Sequence, residues 1–93
     1  MHANVVRVTV DATADPERKA LTEVVIPRVR QLPGVVSGHW LEPVEGKGLS
    51  VVVFESEAAA RGALDAMGLR PGASPAPGVT VESVETREVI GHI

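Results

Sequence analysis

Few residues in this sequence could do chemistry, and their types limit what that chemistry can be. His39 is the one histidine away from the chain ends; imidazole titrates near neutrality, so it is the candidate catalytic group for proton transfer. Beside it Trp40, the only tryptophan, is a candidate ligand contact that could stack on a planar molecule. Arg7 is a second candidate ligand contact. Buried in an apolar run, a guanidinium needs an anion, either a ligand carboxylate or Glu42, Glu85 or Glu88 from a neighbouring strand. Each candidate has a plainer reading, and the sequence favours it. With no partner acid identifiable, His39 reads as a hydrogen-bonded histidine on a sheet or at a subunit contact. Trp40 reads as a packing anchor and Arg7 as half of a salt bridge. Asn4 falls just before the first apolar run, a turn-like position. His2, His39 and His92 lack the spacing of a metal site, and two of them lie near the ends. No metal and no other cofactor is expected, and no stretch amounts to a catalytic signature.

Composition narrows the classes further. Ninety-three residues suit one domain, taken as 1–93. Apolar residues make up 44% but aromatics only 2%, so the core must be built from Val, Leu, Ile and Ala. A formal net charge of −3 argues against a nucleic-acid partner or an anionic membrane surface, which call for clustered Lys and Arg. The absence of cysteine removes disulfides, thiolate metal sites and Cys nucleophiles together. MHANVVRVTV has no basic segment followed by a continuous apolar run, and no stretch is long enough to span a bilayer. The expectation is a soluble cytoplasmic protein.

The elements that must position these residues follow from pattern. Val5–Val10 is β-branched apart from Arg7 and predicts a strand with Val6, Val8 and Val10 on one face and Val5, Arg7 and Thr9 on the other. Asp15-Pro16-Glu17 is a helix start, followed by a stripe of Leu21, Val24, Val25, Val29 and Leu32. Pro27 either ends this helix or kinks it. The stripe keeps its phase across the proline, which favours the kinked helix, ended by Pro33-Gly34. Val35–Val44 predicts a second strand, with Gly38 marking a bulge or a close backbone approach and Pro43 either the point where the strand runs out or the sign of an edge. Glu45–Gly48 is a short connection into Leu49–Phe54, a strand apolar on both faces but for Ser50, hence central in its sheet. Ser56 caps a second helix that packs through Ala59, Ala60, Ala63, Leu64 and Met67 and stops at Gly68. Arg70–Gly78, with three prolines and two glycines, is a loop, either a surface connection or a lid over a pocket. In Val79–Ile90 the apolar parity changes near Glu82-Ser83, as a bulge would make it.

The order β-α-β-β-α-β predicts an α+β, ferredoxin-like fold: a four-stranded antiparallel sheet with two helices on one face. The other face includes Val5, Thr9 and one side of LSVVVF, too apolar for a fully solvated surface. A second copy of the chain is the simplest cover, so a homodimer through the sheet face is expected.

Three stretches carry a likeness to a known family. They are Leu32-Pro33-Gly34-Val35 after the first helix, Gly38-His39-Trp40 on the second strand, and Val51-Val52-Val53-Phe54-Glu55-Ser56-Glu57-Ala58-Ala59 leading into the second helix. In these the chain resembles the dimeric α/β-barrel superfamily and, within it, the antibiotic biosynthesis monooxygenase-like group. The resemblance implies a sheet-to-sheet homodimer. In catalytic members it also implies a pocket between sheet and helices that uses Asn, Trp, Tyr or His. Some members are cofactor-free oxygenases of aromatic polyketides and some degrade haem. Here tyrosine is absent, and His39 and Trp40, adjacent on a strand, point to opposite faces. An RNA-recognition domain would need aromatics on its central strands, and a heavy-metal chaperone a thiolate pair. A small-ligand regulatory domain shares the element order but is usually joined to an enzyme. The sequence therefore points to a homodimeric α/β-barrel protein binding a small apolar ligand between sheet and helices. The alternative is a cofactor-independent monooxygenase-like enzyme acting on a small hydrophobic or polyketide-type substrate.

Overall fold

The computed structural model describes every residue from Met1 to Ile93. Four strands, β1 (His2–Val10), β2 (Val35–Val44), β3 (Lys47–Phe54) and β4 (Val79–Glu88), form one antiparallel sheet in the order β2-β3-β1-β4. The run LSVVVF lies in β3, a central strand, as its two apolar faces require, and the Pro43-bearing strand is an edge. Both helices pack on one face, which is the ferredoxin-like arrangement. The core between them is Val29, Val52, Phe54, Ala60 and Ala63. The short alanines let α2 (Glu57–Met67) lie close on the sheet, and Ala60 has no exposed surface.

The caps of α2 fall where the residue types put them. The Ser56 hydroxyl accepts from the Ala59 N–H at 3.1 Å, and Gly68 takes the left-handed C-terminal conformation at φ 64°. The first helix departs from expectation at its start. Pro16 and Glu17 form a turn, Arg18 takes a left-handed φ of 57°, and helical backbone begins at Lys19. Asp15 still caps it, one turn late, accepting from the Lys19 N–H at 3.2 Å and the Ala20 N–H at 2.9 Å. The helix opens as a π-turn, Leu21–Val25, where the Ile26 N–H reaches back to the Leu21 carbonyl, and it continues past Pro27 as α1 (Ile26–Arg30). The wide turn just ahead of the proline is how the helix carries a residue that cannot donate. It also spoils the 3.6-residue period: Val25, Val29 and Leu32 meet the core, whereas Val24 is turned out to 60% exposure.

Register settles the irregular positions. Across β1 and β4, Arg7 faces Ser83 and Val8 faces Val81, so Glu82 is the extra residue of a bulge, where the parity change placed it. In β2 one extra residue is Val36, between the Val35–Phe54 and Ser37–Val53 pairs, and a second shift sets Glu42 and Pro43 against Gly48 alone, between the Leu41–Leu49 and Val44–Lys47 pairs. Gly38 is there for close approach instead: a Cβ on it would stand 3.0 Å from two atoms of the Trp40 ring. The hairpin between β2 and β3 is tighter than a four-residue connection. Glu45 and Gly46 both have positive φ, 52° and 76°, a two-residue turn of the kind that matches strand twist, so β3 begins at Lys47. Strand β1 also begins early, at His2, which brings Asn4 inside the sheet rather than into a turn.

Candidate functional site

A cavity of about 380 Å³ lies between the sheet and the helices. Strand alternation builds its floor: Asn4, Val6, Val8 and Val10 from β1, Ser50 and Val52 from β3, and Trp40 from β2. Leu21, Val25 and Val29 of the first helix and Ala63 and Met67 of α2 form its roof. The loop after α2 completes one side. Pro75, Ala76 and Pro77 line the cavity, and the loop is tied to β4 by Gly72 N–H to Val81 C=O and Val81 N–H to Ala73 C=O, both 2.8 Å. From Asn4 to Val10 the floor runs about 20 Å, at roughly 3.4 Å per residue, so the space is a slot rather than a sphere.

At one end of the slot sits Asn4, 4% exposed and the only buried polar side chain. Its Nδ2 donates to the Ala60 carbonyl of α2 at 2.7 Å, and its Oδ1 accepts from the Thr86 hydroxyl of β4 at 2.9 Å. A buried amide must be satisfied, and these two partners also fix which way it faces. One N–H of Nδ2 remains unspent at an otherwise apolar wall. Trp40 lines the floor beside Gly38, in register with Ser50. At the other end are the charged groups Asp11, Asp15, Arg18 and Glu42. Arg18 donates through both terminal nitrogens to the two oxygens of Glu42, bridging the start of the first helix to edge strand β2. The hydrogen bonds from Arg18 hold the Glu42 carboxyl below the usual glutamate range, and its Coulombic pull adds to them. Asp11 is likewise lowered, by the Thr13 hydroxyl and N–H.

The other sequence candidates lie elsewhere. His39 pairs with Val51 on the opposite sheet face and is exposed; Trp40 is on the cavity face, so the two are apart as strand geometry requires. Arg7 is also on the outer face. The carboxylate of Glu85 sits 3.6 Å from it and accepts from Arg87 at 3.1 Å. Thus Trp40 alone of the three lines the slot. His2 is no loose end but the first residue of β1, its Nε2 3.4 Å from Glu57 at the start of α2. Asn4 and the Arg18–Glu42 pair are the residues that sequence reasoning missed. Asn4 carries a signal in retrospect, since it continues the alternation Val10, Val8, Val6 by one step. The pair carries none. The cavity wall includes no His, Tyr, Lys or Cys.

No protein-family model matches the sequence, and no curated protein is significantly similar to it. Solved structures are similar. The haem degrader MhuD from Mycobacterium tuberculosis, with two haems bound in its active site, shares 24% identity at a TM-score of 0.71, covering 100% of this chain and 99% of that one. An arginine-to-serine variant of MhuD with two manganese protoporphyrin IX bound per active site follows at 23% identity and TM-score 0.65, covering 100% and 98%. The second RNA-recognition domain of the yeast poly(U)-binding protein Pub1 matches at 19% identity and TM-score 0.50, over 97% and 99%. At these identities the likeness is one of fold: the chain shares the ferredoxin-like fold of MhuD.

Proposed function

We propose that this protein binds a small, planar, largely apolar molecule in the slot between sheet and helices. The observation that carries the proposal is the slot itself, about 380 Å³ of mostly aliphatic wall with one indole and one half-satisfied amide. That is the usual make-up of a small-molecule site, where apolar burial gives affinity and a few polar groups fix orientation. Trp40 offers the stacking surface and the free N–H of Asn4 a donor for a carbonyl or phenol oxygen. The haem named for MhuD does not carry over. Haem iron is commonly held by His, Cys or Tyr, none of which lines this slot; the sole sulfur ligand there is the Met67 thioether.

A second reading, cofactor-independent oxygenation of a hydrophobic or polyketide-type substrate, is favoured by Asn4, whose amide could hold a substrate oxygen as negative charge develops on it. The titratable groups that line the slot, Asp11, Asp15, Arg18 and Glu42, lie at its other end, and His2, the neighbour of Asn4 on the same face of β1, does not line it, so the substrate would have to be acidic enough to ionise without a base in the slot. His39, on the outer face, is the less apt residue for that chemistry.

The proposal includes self-association through the outer sheet face. Val5, Leu49 and Val51 form its apolar centre, with Leu41 beside them at 51% exposure; Val53, on the same face, is already buried within the chain. Arg7, Glu85 and Arg87 lie along one side and His39 along the other. On the two central strands this face presents no Phe, Tyr or Trp, which sets it apart from an aromatic RNA-stacking platform.

Trp40, being the only tryptophan, reports on the slot directly. Titration with menadione, a planar quinone, should give saturable fluorescence quenching that Val25→Phe abolishes while circular dichroism stays unchanged. Quenching that is linear in quinone and equal in both proteins would be collisional, and the binding reading would fall.

A further inference from the structure

The charged end of the slot carries more information than its net charge. Arg18 is the only cation on the cavity wall, against the three carboxylates of Asp11, Asp15 and Glu42. Two of these are already engaged with neighbours of their own. Asp15 accepts the Lys19 and Ala20 N–H groups at the helix start, and Asp11 accepts from Thr13. Glu42 alone pairs with Arg18, and it does so in the two-pronged geometry that guanidinium forms with any carboxylate. Glu42 is also the dispensable partner. It stands on an edge strand with 67% of its side chain exposed, so once released it is solvated by water with no buried group left unpaired. Arg18, by contrast, is held in place: its backbone sits at φ 57°, its N–H bonds to the Asp15 carbonyl and its own carbonyl accepts from Thr22.

We propose that Arg18 is the anion-accepting group of the slot, that the ligand is an apolar molecule ended by a carboxylate, and that Glu42 holds that place in the free protein. The inference rests on the slot being a binding site and adds the class of its ligand. The apolar body lies over Trp40 between Val6 and Val25, and the acid stays at the mouth. There it exchanges with Glu42 without being carried into the apolar interior, where an unpaired charge is costly.

The test uses Trp40 fluorescence and three probes with one ring system: 2-naphthoic acid, its methyl ester and 2-naphthylmethylamine, at neutral pH. The acid should bind more tightly than the ester and the amine least. Arg18→Gln should weaken the acid roughly tenfold or more and leave the ester within about twofold, as for loss of a charge-assisted pair. Glu42→Gln should act in the opposite sense, tightening the acid about two- to fivefold by removing a solvent-exposed competitor. A purely structural role of the pair predicts instead that both variants shift all three probes alike. Equal affinity for acid and ester, or preference for the amine, overturns the assignment of Arg18 while leaving the slot as a binding site. Failure of all three probes to bind overturns both.

Discussion

Asn4→Ala separates a residue that merely fills space from one that ties three elements together. The native amide bridges the α2 carbonyl of Ala60 and the β4 hydroxyl of Thr86 from its place on β1. Each such bond is worth about 1 kcal/mol net, so removing both should cost about 2 kcal/mol. Thr86 is only half-buried, so water can take over its hydroxyl and keep the loss from growing further. For a chain of this size that corresponds to a fall in Tm of roughly 10 °C. Urea unfolding followed by circular dichroism, at one fixed protomer concentration, measures it. Asn4→Asp provides the sharper form of the test. It replaces the donor to Ala60 with a second acceptor and buries a carboxyl whose pKa must rise above the unfolded value of about 3.9. The sign follows. Below about pH 4 both states are protonated and the charge penalty is absent. It grows as pH rises from there through the raised folded value and is constant above it. A loss under about 0.5 kcal/mol for Asn4→Ala, or an Asn4→Asp penalty that does not change with pH, would refute the bridging role.

Other outcomes follow from the same geometry. Gly38→Ala sets a methyl 3.0 Å from the Trp40 ring, so the indole must shift into the slot; its emission maximum should move and quinone quenching weaken by several-fold, at a stability cost of about 1 kcal/mol. The Arg18–Glu42 pair contributes above the ordinary glutamate value near 4.5 and is lost as pH falls through the depressed folded value. The urea midpoints of wild type and Glu42→Gln should therefore converge in acid, and a constant gap would contradict it. Val51→Arg places a charge at the centre of the outer sheet face, opposite Val5. Sedimentation should then show dimers replaced by monomers, and an unchanged dimer would exclude that face as the interface.

The sequence was most informative where one residue type has one physical use. Ser56 and Gly68 bracket α2 because a hydroxyl can cap a helix start and glycine tolerates the left-handed end. The parity change at Glu82 had to be a bulge, because strand alternation has no other way to slip by one. The opposite faces of His39 and Trp40 followed from the same alternation. Legibility failed where the answer depends on a distant partner. Asn4 resembles a turn residue until Ala60 and Thr86, 56 and 82 positions away, turn it into a buried bridge. Val24 fits an α-helical stripe that the π-turn breaks, a cost of carrying Pro27. Arg18 and Glu42 look like two ordinary surface charges until the chain folds them together across the slot.

The place of β1 has a consequence for how the chain is made. Its two neighbours are β3 and β4, and the outermost pair joins His2 to Glu88. Of the four strands β1 emerges first during synthesis and must wait for β4, the last, before both its edges are paired. Contacts of such long sequence separation are slow to form, because loop closure precedes the gain from pairing. In the interval the nascent chain presents VVRVTV with an open edge and no proline to blunt it, a template for any strand nearby. The segment that ends as the middle of the sheet is thus the one most exposed to mispairing on the ribosome.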